Sequence, residues 1–194
     1  MKQKSLWLIL FLAVCVCFSN VKANDFPVGA SVENFTLPDI NGKQHSFNDL
    51  KGEKGTIVVF LSVQCPVVKA YDERLNLIAA DYKARGINFI GINSNSTENG
   101  EAVKTHAEKN YKFPVLIDKG NVIADKFNAF ATPEMFFFNP ENKLVYHGAI
   151  DNDRSGANVT GNFLRVAMDE VLAGKPVSKS ETKAIGCTIK RVTN

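Results

Sequence analysis

TIVVFLSVQCPVVKAYDERLNLIAADYKARG, residues 56–86, decides how this chain folds. Thr56–Leu61 is an unbroken β-branched and apolar run, the pattern of a strand buried on both faces. From Pro66 to Arg85 there is no glycine and no further proline. Val68, Tyr71, Leu75, Ile78 and Tyr82 recur there at three- and four-residue spacing, which predicts a helix with one apolar face. Gly86 supplies its stop. Strand and helix are joined by Ser62-Val63-Gln64-Cys65-Pro66. Pro66 suits the first helical position, where its missing N–H costs nothing. Cys65 therefore falls at or just before the helix start. Unpaired N–H groups and the positive end of the helix dipole favour a thiolate there.

Outward from this stretch, strand and helix patterns alternate. Phe35-Thr36-Leu37 and His45-Ser46-Phe47 flank Asp39-Ile40-Asn41-Gly42, a hairpin signal. Residues 87–92 (INFIGI) read as a second buried strand, and Ser96 or Thr97 as the cap of a helix reaching about Asn110. Residues 113–117 are a third strand and 121–130 a short helix. Residues 134–138 (EMFFF) and 143–149 form a hairpin. Residues 162–173 form a closing helix with Phe163, Val166, Met168, Val171 and Leu172 toward the core. This order predicts an α/β fold: a central mixed sheet with helices on both faces and an N-terminal β-hairpin extension.

Composition narrows the function. The chain has 194 residues and a net charge of +3. The surplus cations, Lys2, Lys4 and Lys22, all lie in the first 23 residues, which hold no acidic side chain. Without that segment the chain carries 20 basic and 20 acidic residues. Such a balance argues against nucleic acid as a partner. Residues 6–18 (LWLILFLAVCVCF) are shorter than the roughly 18 residues that cross a bilayer. With the basic start and Val21-Lys22-Ala23 they predict a signal peptide over 1–23, no stable membrane span, and a periplasmic or secreted protein. Val14 departs from the small residue that a lipid-modification site at Cys15 would need. Cleavage leaves Cys65 and Cys187 in a domain over 24–180 and a mobile-looking tail over 181–194. Cys and His are too few and too scattered for a metal site, and no cofactor is expected.

The chain resembles the redoxin group of the alkyl hydroperoxide reductase and thiol-specific antioxidant superfamily, in its peroxiredoxin-like branch with a thioredoxin-like fold. The resemblance rests on Cys65-Pro66, Val68-Lys69-Ala70-Tyr71, Arg74-Leu75, Gly91-Ile92-Asn93-Ser94-Asn95, Ala131-Thr132-Pro133, Leu144-Val145-Tyr146, Gly148 and Gly186-Cys187-Thr188-Ile189-Lys190. It implies that Thr132-Pro133 is a cis bond facing the active cysteine and holding a partner chain. It also implies a thiol–disulfide oxidoreductase, with Cys65 as the reactive thiol and Cys187 as the resolving one. Partners would be protein thiols or disulfides, or a thioredoxin-like electron donor.

Two departures matter. Val68 stands where a thioredoxin places its second cysteine, so no disulfide closes within the helix, and a mixed disulfide on Cys65 must be resolved by Cys187 or by an outside thiol. A peroxiredoxin wants Pro-x-x-x-Thr/Ser-x-x-Cys; Ser62 fits this and Val58 does not. Peroxide is therefore an alternative substrate with an incomplete constellation, for which Arg154 is the arginine at a plausible height. A third reading makes Cys65–Cys187 a purely structural staple. Tyr71 and Arg74 are placed near the site, with helix packing and surface charge as their plainer roles.

Overall fold

The computed structural model describes residues 26–193. The expected signal peptide, with Cys15 and Cys17, lies outside the described residues. A β-hairpin, β1 (Thr36–Pro38) and β2 (Gln44–Ser46), leads into a short helix α1 (Phe47–Leu50). The central elements follow as β3 (Gly55–Leu61), α2 (Pro66–Lys83), β4 (Ile87–Asn93), α3 (Gly100–Asn110), β5 (Val115–Ile117) and α4 (Val122–Lys126). The chain closes with β6 (Ala131–Thr132), β7 (Glu134–Phe138), β8 (Leu144–Gly148), α5 (Phe163–Leu172) and β9 (Cys187–Thr188). The main sheet has the order β5-β4-β3-β7-β8. β3, β4 and β5 are parallel; β7 runs antiparallel to β3, and β8 to β7. The expected mixed sheet is present.

Both faces of β3 are covered, which is why its sequence is apolar throughout rather than alternating. Ile57, Val59 and Leu61 pack with α2 and α5 through Leu75, Ile78, Tyr82, Leu164 and Met168. Val58 and Phe60 face the opposite cluster of Phe35, Phe47, Ile123 and Phe127. The EMFFF strand divides the same way, with Met135 and Phe137 on the first side and Phe136 and Phe138 on the second. All five residues of the expected α2 stripe are buried.

Several boundaries differ from expectation, each for a local reason. α1 exists because Ser46 and Asp49 form a reciprocal capping box, and Phe47 is anchored in the core. α3 is capped by Asn99, whose side chain accepts from Glu101 N at 2.8 Å. Ser96 is instead taken by the C-terminal tail: its N–H donates to Lys190 O at 2.9 Å and its hydroxyl to Arg191 O at 2.8 Å. α4 ends at Lys126 because Asn128 turns left-handed (φ 51°). In α5 the fully buried side chains are Leu164, Ala167 and Met168, while Val166 is 46% exposed.

The tail is not loose. Thr182 N–H donates to His147 O at 3.0 Å, and Ala149 N–H donates to Thr182 Oγ1 at 2.9 Å. Gly148 permits this approach, because a Cβ there would sit 2.2 Å from the Thr182 carbonyl oxygen. Beyond β9, Ile189 is buried in the second core cluster. Lys190 N–H donates to Asn95 Oδ1 at 2.9 Å and Val192 N–H to Asn121 Oδ1 at 2.8 Å. Residues 183–188 therefore form an arch pinned at both ends.

Candidate active site

β3 delivers the chain to the carboxyl edge of the sheet, and the loop 62–64 carries it to α2. One carboxylate organises that loop. Glu98 Oε1 accepts from Ser62 Oγ at 2.5 Å and from Gln64 N at 3.0 Å. Its Oε2 accepts from Val63 N at 3.1 Å and Asn93 Nδ2 at 2.6 Å. Four donors on one carboxylate fix the loop immediately before the cysteine. Cys65 then sits at the N-cap of α2, with Pro66 in the first turn. Nothing caps the helix through the Cys65 side chain, so the first-turn N–H groups lack intrahelical acceptors. Val68, three residues after Cys65, is buried on α2.

Facing the helix start is β6, followed by a cis Thr132–Pro133 bond. Thr132 is fully buried, and its carbonyl oxygen lies 3.1 Å from Cys65 Sγ. A buried carboxylate also supports this segment. Glu134 Oε2 accepts from Phe130 N at 2.8 Å and Ala131 N at 2.9 Å, while its Oε1 accepts from His147 Nε2 at 2.6 Å.

Cys187 arrives on β9, which pairs antiparallel with β6 so that Thr132 stands opposite Cys187. The two cysteines form a disulfide with Cα atoms 5.8 Å apart. Gly186 makes the approach possible, since a Cβ there would fall 2.0 Å from the Thr132 carbonyl oxygen. Cys65 is 1% exposed and Cys187 is partly exposed. Phe130 and Ile185, next to the two paired strands, are 51% and 69% exposed.

A cavity of about 270 Å³ borders the cis-proline, lined by Tyr71, Pro133, Ile185 and the 149–154 segment. Tyr71 OH donates to Asp151 Oδ1 at 2.7 Å. Arg74 Nη1 donates to Asp151 Oδ2 at 2.5 Å and Asp153 O at 2.9 Å, and Nη2 donates to Arg154 O at 2.8 Å. Burial, then the Asp151 carboxylate, pushes the Tyr71 hydroxyl well above the usual tyrosine range, so it remains a donor.

The structure thus brings together Cys65, Cys187, Pro66, Thr132 and Pro133. Ser62 is close in the chain, but its proton is given to Glu98. Arg74, rather than Arg154, fixes the neighbouring loop. Sequence reasoning missed Glu98 and Glu134. Glu134 left a signal, a charged residue opening an apolar strand, which burial demands be paired. Glu98 left none, because a glutamate among polar loop residues looks like surface.

A mixed sheet with a cysteine at a helix start facing a cis-proline defines a thioredoxin-like protein. The chain belongs to the AhpC/TSA family, whose model matches residues 28–147. Thiol-disulfide oxidoreductase ResA of Bacillus cereus is 31% identical over 119 residues, covering 61% of this chain and 67% of its own length. An uncharacterized conserved protein from Geobacillus kaustophilus superposes with a TM-score of 0.82 at 34% identity, covering 88% of this chain and 95% of its own. A putative thioredoxin from Neisseria meningitidis shares the fold at 20% identity, with a TM-score of 0.54 over 62% of this chain and 79% of its own.

Proposed function

We propose that this protein is an extracytoplasmic thiol–disulfide oxidoreductase whose redox-active pair is Cys65 and Cys187. One observation carries the reading: the bond between them lies at the N-terminus of α2, against the backbone of the cis-proline segment. A sulfur at a helix start is a stabilised leaving group, and disulfide exchange depends on such groups. The similarity to thiol-disulfide oxidoreductases supports the reaction class. The leader-like residues 1–23 support a periplasmic or secreted location. Partners are protein thiols or disulfides, or a thioredoxin-like electron donor, with Thr132 and Pro133 as the backbone against which the Cys65–Cys187 bond is held for them. Pro66 fixes the helix start, and Ser62 acts through the loop that Glu98 holds. Among the described residues no helix is long and apolar enough to cross a membrane.

The pinned arch also favours a second reading, a permanent structural staple. Turnover separates the two. Oxidised protein should be reduced by a thioredoxin-like donor and should exchange with a disulfide substrate repeatedly. Cys65→Ser and Cys187→Ser should each abolish turnover. Turnover surviving in Cys65→Ser, or a bond that resists the donor, would sink the oxidoreductase reading.

A further inference from the structure

The resemblance implied that Cys65 attacks and Cys187 resolves. The geometry points to the reverse order, and this rests on the pair being redox-active as proposed above. We infer that Cys187 is the sulfur that meets the partner, and that Cys65 is its internal resolving thiol.

Access carries the argument. Cys65 is 1% exposed, beneath the arch, whereas Cys187 is partly exposed. The backbone edge beside Cys65, at Thr132, is already filled by β9. A partner strand cannot pair there while the arch is in place, and the arch is pinned at Thr182 and at Ile189–Val192. Cys187 is the more exposed residue of the pair, and Ile185, two residues before it, is 69% exposed. Charge acts in both directions. A departing Cys65 thiolate is stabilised by the start of an 18-residue helix, but opposed by the Thr132 carbonyl 3.1 Å from its sulfur. Access therefore decides.

The steps balance with a dithiol partner. One partner thiolate attacks Cys187 Sγ and breaks the Cys65–Cys187 bond; the electron pair leaves on Cys65. The partner's second thiolate then attacks its own mixed-disulfide sulfur. The partner leaves as a disulfide and Cys187 as a thiolate, which takes up a proton, as does Cys65. The partner is oxidised and the protein reduced. By microscopic reversibility, reduction of a partner disulfide begins with Cys187 thiolate and ends with Cys65 attacking the Cys187 sulfur.

The test uses oxidised protein and reduced glutathione, stopped early in acid, with free thiols alkylated and peptides mapped by mass. Glutathione on Cys187 with alkylated Cys65 should exceed the opposite product by at least about tenfold. Equal amounts, or glutathione mainly on Cys65, would overturn the inference. A second measurement uses reduced single-cysteine variants and glutathione disulfide. Cys65→Ser, which keeps Cys187, should form its adduct at least about tenfold faster than Cys187→Ser. Faster reaction at Cys65 overturns the inference and leaves the oxidoreductase reading standing. If both folded variants are inert while their unfolded chains react, the redox reading itself fails.

Discussion

At the residue scale, two buried or half-buried carboxylates hold the segments that flank the two sulfurs. Glu98 gathers Ser62, Val63, Gln64 and Asn93. Removing it strands the amides of the loop that positions Cys65. Glu98→Ala should lower unfolding free energy by about 1–3 kcal/mol, the cost of leaving such groups unpaired. Denaturant titration reads this, and exchange should slow in the same variant while Glu98→Gln retains part of both. An unchanged exchange rate in a folded Glu98→Ala protein would show that the loop needs no such anchor. The sequence offered no sign of Glu98, because its partners lie 34 to 36 residues away or in the neighbouring strand. Cys65 was legible because helix-start chemistry is local: cysteine, proline and an apolar helical period lie within one stretch.

At the scale of elements, the two-residue strands β6 and β9 bring Cys187 to Cys65. Both were invisible in the sequence, since two residues carry no period. Their pairing depends on Gly186. Gly186→Ala would place a methyl carbon against the Thr132 carbonyl, and backbone there cannot give way cheaply. β9 should shift outward, and the Cys65–Cys187 bond should become easier to reduce. Thiol–disulfide equilibration against a glutathione buffer should show a less negative potential than in the parent protein. An unchanged potential would show that β9 can move without straining or exposing the bond. The α5 correction has a similar origin. Its apolar residues outnumber the positions that can face the sheet, so period alone did not say that Val166 would lie outward.

At the scale of the whole molecule, the disulfide closes a loop of 122 residues. In the chain-entropy account, Cys187→Ser should reduce stability by up to about 4–5 kcal/mol, read by denaturant unfolding of oxidised parent and variant. The four tyrosines give a second global handle, because all of them are held above their ordinary value. Burial is the leading cause in each, and Tyr146 is pushed up to about 12. A group raised on folding stabilises fully below its unfolded value, near 10, and loses that contribution as pH rises through its folded value. Tyrosinate absorbance should therefore appear late in the native protein, and thermal stability should fall above about pH 10. Ordinary titration of all four in the folded state would contradict their burial.

The amino-acid sequence by itself determined the alternation of buried strands and amphipathic helices, and placed Cys65 at a helix start. Those features follow from local period and from the chemistry of cysteine and proline. It also marked Thr132-Pro133 and Cys187 by family resemblance. Tertiary structure decided how they meet. Only the folded chain lays the tail along β8, inserts β9 beside Thr132, buries one cysteine and leaves the other partly exposed. It also recruits Glu98 from a polar loop to fix the segment before Cys65. These outcomes depend on contacts between segments far apart in the chain, and such contacts leave no period or spacing to read.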